Sequence, residues 1–131
     1  MADTLARATE LRVLSVRQPW ASLIASGRKT IELRSWATKY RGPVLIVSGA
    51  SAWRGDHAYE IGPRGVAVCV VDLVECRASS DSDEAAACLL PPPGFGFALC
   101  LANARPVAPV PVKGKLGLYR CDDALRVAVG S

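Results

Sequence analysis

Apolar and polar positions along the chain change period several times, and each change marks an element. Leu11–Arg17 alternates, with Leu11, Val13 and Ser15 opposing Leu14 and Val16, which predicts a first strand. Gln18-Pro19-Trp20 then turns the chain, and proline suits a first helical position because its missing N–H is no loss there. Trp20, Leu23 and Ile24 recur at helical spacing, predicting a short helix over Trp20–Ser26 closed by Gly27. Period two then returns. Ile31 and Leu33 share one face and Thr30, Glu32 and Arg34 the other, so Thr30–Ser35 is expected as a half-buried strand. A loop over Trp36–Gly42 and a short apolar strand over Pro43–Ser48 follow.

Ser51 is placed to cap a short helix through Ala52–Glu60, with Gly62-Pro63 ending it. Gly65–Cys76 is the clearest strand, β-branched and almost continuously apolar, as expected of a strand covered on both faces. Asp72 interrupts it, and a carboxylate there must be paired or lie at a rim. It either orients a cation of the Gly27–Arg34 segment or begins a strand bend. Ser79–Leu90 is acidic and then alanine-rich, predicting a short helix capped by Ser80 or Ser82. Pro91-Pro92-Pro93-Gly94 is a rigid loop, and Phe95–Leu101 is another strand. Pro106, Pro109 and Pro111 confine Val107–Val112 to an edge strand or an extended segment. Leu116–Arg120 reads as a last short strand, and Asp122–Val129 closes the domain. Five to seven short strands with two or three short helices give a mainly β (α+β) fold, a small closed or partly open β-barrel. Residues 11–131 are expected to form one domain behind a frayed leader over residues 1–10.

Composition narrows the classes. No stretch of the 131 residues approaches the roughly 20 apolar residues that span a bilayer. Met1–Glu10 lacks an apolar signal core, so no membrane partner and a cytoplasmic location are expected. Cys69, Cys76, Cys88, Cys100 and Cys121 are odd in number and too scattered for a metal knuckle, and His57 is the only histidine. Free thiols are therefore expected, with no metal site and no cofactor. The net charge is +4, but Arg12–Arg41 alone carries +6. Such a local excess is the footprint of a phosphate-bearing partner or of a solvated basic face.

The octet Gly27–Arg34 concentrates the chemistry. It fixes Lys29, Glu32 and Arg34 beside a helix end on rigid backbone. Surface ion pairs add little stability, so stability alone does not explain such a cluster. Arg34 is suited to grip a phosphate through parallel N–H groups, and Lys29 to neutralise charge. Glu32 either holds Arg34 in one rotamer or accepts from a base amino group. Trp20 either packs in the core or stacks on a base. Trp36, near Tyr40 and Arg41, either lids the core or meets single-stranded nucleic acid. Lys113-Gly114-Lys115 brings two further cations around a turn glycine.

Leu14-Ser15-Val16-Arg17-Gln18-Pro19-Trp20-Ala21-Ser22-Leu23 resembles the opening of ASCH domains, and the octet fits that family's Gly-x-Lys-x-x-Glu-x-Arg signature at all four fixed positions. Ser35-Trp36, Arg41-Gly42, Gly65 with Val71-Asp72-Leu73, and Pro111–Lys115 continue the likeness, which covers roughly Leu11 to Tyr119. The resemblance implies a PUA-like β-barrel with a cleft between the first helix and the barrel. The residues lining it would be Arg17, Gln18, Trp20, Lys29, Glu32, Arg34 and Trp36, with Arg41, Lys113 and Lys115 as further ligand contacts. It also implies RNA, single-stranded nucleic acid or a nucleotide-like or nucleoside ligand as partner. The alternative is a small hydrolase, a ribonuclease or an amidohydrolase of an acylated nucleoside such as N4-acetylcytidine, with Lys29 and Glu32 as catalytic groups. Deacetylating relatives carry a threonine three residues after the motif lysine. Here that position is Glu32, so a covalent threonine mechanism does not transfer. A blander reading is a module whose basic face docks an acidic protein.

Overall fold

The computed structural model describes residues 10–52, 62–92 and 94–130. Residues 53–60 of the helix expected over Ala52–Glu60, Trp53 and His57 among them, and the leader up to residue 9 lie outside the described residues, while Ser51 and Ala52, expected at its start, are strand. The elements in chain order are β1 (Arg12–Gln18), α1 (Trp20–Ala25), β2 (Ile31–Arg34), β3 (Gly42–Ala52), β4 (Ala67–Ala78), a 3-10 turn (Asp81–Asp83), α2 (Glu84–Ala87), β5 (Phe97–Pro106), β6 (Leu118–Arg120) and α3 (Asp123–Val129). The strands form one six-stranded sheet in the order β2-β5-β4-β3-β1-β6. Only β1 and β3 pair in parallel; the other neighbours are antiparallel.

The near-continuous apolar runs exist because the central strands are covered on both faces. Leu14 and Val16 of β1, Val44 and Ile46 of β3, and Cys69, Val71 and Leu73 of β4 pack with Leu99 and Leu101 of β5 under Trp20, Ala21 and Ile24 of α1. Their alternates Leu11, Val13, Leu45, Val47 and Val70 form a second core with Val129 of α3. Each fully buried Val, Leu or Ile contributes about 1.5–3 kcal/mol. Asp122 caps α3, its Oδ1 accepting from the Leu125 N–H at 2.7 Å, and Gly130 ends the helix in the left-handed region.

The sheet is curled into a half-barrel rather than closed, with β2 and β6 as its edges. The curl brings Arg34 of β2 to the Ser15 carbonyl of β1, at 2.8 Å, although three strands separate β2 from β1 in the sheet order. β6 pairs with β1 only as far as Leu14, so Ser15 lies just past its end, where Arg34 supplies a donor.

Several expected boundaries move. β3 runs from Gly42 to Ala52, beyond the apolar stretch Pro43–Ser48, and β5 continues to Pro106. The acidic and alanine-rich segment divides into the 3-10 turn and the four-residue α2, because Ser80 and Asp83 form a capping box and Cys88 adopts a left-handed φ of 57°. Val107–Val112 is not a strand. It meets the sheet at one bridge, Val66 to Pro111, and turns tightly where the Val110 N–H donates to the Ala108 carbonyl at 2.8 Å. Asp72 orients no cation of the octet. It pairs with Arg105 (3.1 Å) and accepts from Asn103 (3.2 Å) across β-bulges between β4 and β5.

Candidate functional site

Gly27 sets the geometry. Its φ of +84° closes α1, and the Lys29 N–H then donates back to the Leu23 carbonyl at 3.0 Å. This turn directs the Lys29 side chain inward. Its ammonium donates to the carbonyl of Ala87, the last residue of α2, sits 3.5 Å from Glu32 Oε1, and lies 5.2 Å from the Trp20 ring centroid. Lys29 is only 3% exposed. Burial pulls its pKa below the usual lysine value, and the adjacent Glu32 carboxylate opposes that pull.

Glu32, 8% exposed, bridges two cations. Oε1 faces Lys29, while Oε2 accepts from Arg34 Nε (3.1 Å) and Nη2 (2.8 Å). Arg34 Nη2 also donates to Ser15 O. The guanidinium is thus held from two sides by rigid partners. Its Nη1 group makes no hydrogen bond among the described residues, and the side chain is 22% exposed. Ile31 and Leu33 point away from this network, and Ile31 packs with Ala87 and Ala98 in a smaller cluster, so the alternation of β2 turns Glu32 and Arg34 to the face that carries Leu99 of the main core.

The other expected residues divide into three groups. Trp20 is buried in the core beneath Lys29, and Trp36 is half-buried against the same core. Gln18 is fully buried, its Nε2 donating to Pro63 O (2.8 Å) and its Oε1 accepting from the Ser22 N–H (3.0 Å); it fastens the start of α1 to the segment leading into β4. Arg17, Lys113 and Lys115 are exposed, and Lys115 lies 5.5 Å from the Tyr119 ring centroid. Arg17 stands two residues along β1 from Ser15. Arg41 is exposed and donates to the Thr38 and Tyr40 carbonyls, bracing its own loop. The structure therefore joins Trp20, Lys29, Glu32 and Arg34 in one network and places Gln18 and Arg41 in separate structural roles.

Two members of the network carried no signal in the sequence reading. Ser15 and Ala87 act through backbone carbonyls, which every residue possesses. Only the likeness of the segment around Ser15 to a known motif could have drawn attention to it. Among the described residues no three His, Cys, Asp or Glu side chains converge as metal ligands would. No helix among them is long and apolar enough to cross a membrane.

A family model described as ASCH domain matches residues 14–111. Activating signal cointegrator 1 of Homo sapiens is 27% identical over 130 residues, covering 86% of this chain and 22% of that protein. The Mus musculus protein of the same name is 25% identical over the same shares. The chain thus spans about a fifth of the length of these curated relatives. The ASCH crystal structure from Zymomonas mobilis superposes with a TM-score of 0.67 at 16% identity, covering 93% of each chain. Its S128A mutant gives 0.62 at 15% identity, covering 88% of this chain and 91% of that one. At such identities the structural likeness speaks to fold.

Proposed function

The chain belongs to the ASCH domain family, and on that premise we propose that it binds RNA or a nucleotide-like ligand on the basic face around Arg34. One observation carries the reading. The Arg34 guanidinium is held by Glu32 and the Ser15 carbonyl, yet its Nη1 edge makes no hydrogen bond among the described residues and the side chain is partly exposed. A planar fork held this way loses little side-chain freedom when a phosphate oxygen arrives. The exposed cations Arg17, Lys113 and Lys115 extend the positive field, in keeping with the +6 carried by Arg12–Arg41. Lys29 takes a supporting role. Its ammonium fixes Glu32, and Glu32 fixes Arg34.

Hydrolysis is the second reading, and the lowered pKa of Lys29 is what favours it. The same burial that lowers the pKa commits the ammonium to Ala87 and Glu32, away from any solvent-borne substrate, so binding is the stronger reading. The test is titration of a 5′-labelled single-stranded RNA with wild type and Arg34→Ala at 50 and 200 mM salt, with cleavage products assayed in the same tubes. Loss of the charge-assisted contacts should weaken binding by about 1.5–3 kcal/mol, roughly tenfold or more. Equal affinity of the two proteins would remove Arg34 from the binding surface. Shortened RNA from wild type alone would favour the hydrolase.

A further inference from the structure

Ser15 is engaged twice. Its carbonyl receives Arg34, and its side chain lies against Gly114, the glycine between two exposed lysines. A Cβ placed on Gly114 would fall 2.6 Å from Ser15 Oγ and 3.4 Å from Ser15 Cβ, with no other atom within 4 Å. The loop is tethered at both ends. The Val112 N–H donates to Gly65 O at 2.9 Å, and β6 begins at Leu118. Between the tethers, Lys115 rests over the Tyr119 ring, and the Ser15 and Tyr119 hydroxyls are both buried. Gly114 is therefore where the loop backbone closes onto β1, at the same residue that anchors the Arg34 guanidinium.

We propose that Gly114 is a positioning residue: its missing side chain lets the Lys113–Lys115 loop dock on Ser15 beside Arg34, making the two lysines the second half of one phosphate-binding surface. This rests on the binding reading above and adds to it. Arg34 comes from one edge strand of the sheet and the lysines from the loop before the other edge strand. Ser15 is the point where the curl lets both act on one ligand. The constraint at 114 is one of space rather than of backbone conformation, since a larger residue meets the Ser15 hydroxyl and must displace it or lift the loop.

A steric exchange tests this with the same labelled RNA. Gly114→Ala should weaken binding about twentyfold at 100 mM salt and have little effect near 1 M, since losing two phosphate contacts lowers the logarithmic salt slope by about 1.4. Ser15→Ala, which keeps the carbonyl that holds Arg34, is the reference for the exchange. The double variant Ser15→Ala/Gly114→Ala leaves the added methyl at ordinary contact distance, so it should recover most of the affinity and the slope. Lys113→Ala/Lys115→Ala changes only exposed side chains and should reproduce the slope loss of Gly114→Ala without a steric change in the loop. The proposal is overturned if Gly114→Ala keeps wild-type affinity and slope, if the double variant binds no better than Gly114→Ala, or if the lysine variant is unaffected. Wild type that binds RNA in an Arg34-dependent way while the loop variants do nothing sinks this inference alone. Wild type that binds no RNA removes the parent reading with it.

Discussion

Glu32→Gln isolates the energetics of the buried network. The substitution keeps the volume and leaves an oxygen for Arg34, but removes the charge between two cations. Lys29 and Glu32 side chains are 2% and 10% exposed and stand 3.5 Å apart. At an effective dielectric constant of about 20, that separation gives roughly 5 kcal/mol of gross attraction. Removing one member of a buried pair typically costs about 3–5 kcal/mol, because the survivor keeps its desolvation penalty. Arg34 suffers less, since its 22% exposure lets water replace part of the lost contact. The melting temperature should fall by about 12–20 °C, taking about 4 °C per kcal/mol for a domain of this size.

The pH dependence gives a sharper readout. The folded-state pKa of Lys29 is already depressed by burial, while the unfolded chain titrates near 10.5. Between those values the unfolded state binds more protons, so stability from this group rises with pH. Without Glu32 the folded value drops further, and the window widens toward neutrality. Urea unfolding in steps from about pH 7 to about pH 10 should therefore show the deficit of Glu32→Gln against wild type shrinking as pH rises. Adding Lys29→Met should recover about 2 kcal/mol at neutral pH and abolish the pH-dependent part. A deficit below about 1 kcal/mol, or one constant across the series, would show that Lys29 does not depend on Glu32 and would refute the account of the network.

Gln18→Ala should destabilise by about 2–4 kcal/mol, because the Pro63 carbonyl and the Ser22 N–H lose their buried partner and a cavity remains; urea unfolding with a change under about 1 kcal/mol would exclude a clamp at this point. Asp83 is held bidentately by Arg77 (2.7 and 3.0 Å) and by the Ser80 N–H (2.9 Å), which keep its carboxyl below its ordinary value. Its contribution is present above about pH 3.8 and is lost as pH falls through the lower folded value. Asp83→Asn should thus cost about 1.5–3 kcal/mol at pH 7 and progressively less below pH 4, so parallel acid-unfolding curves would contradict it.

What could be read from the sequence follows from how local each cause is. The strands β1, β2 and β4 were legible because period two and continuous apolar runs are written into neighbouring residues. Gly27 was legible for the same reason, since a helix end needs a left-handed residue within one turn. The division of Ser79–Leu90 was not. Composition favoured a single helix, but Arg77, six residues before Asp83 on β4, holds that carboxylate in a capping box at the start of a 3-10 turn, and the left-handed Cys88 ends the helix after Ala87. Asp72 similarly chose Arg105, which the β4–β5 pairing places opposite Val70 and so within reach.

The same distinction explains the site. Alternation along β2 correctly grouped Glu32 with Arg34, because two residues on one strand share a face whatever lies elsewhere. It could not tell an exposed Lys29 from a buried one. That depends on the Ala87 carbonyl, 58 residues away, and on Trp20 roofing the ammonium. A lysine read as a reaching phosphate contact thus stands as an internal strut, 3% exposed. The consequence for the family signature is specific. Its lysine and glutamate are bound to each other and to the fold, and only its arginine keeps an edge toward solvent. Changes at Lys29 and Glu32 should then move stability and ligand affinity together, whereas changes at Arg34, Lys113 and Lys115 should move affinity with far less effect on folding.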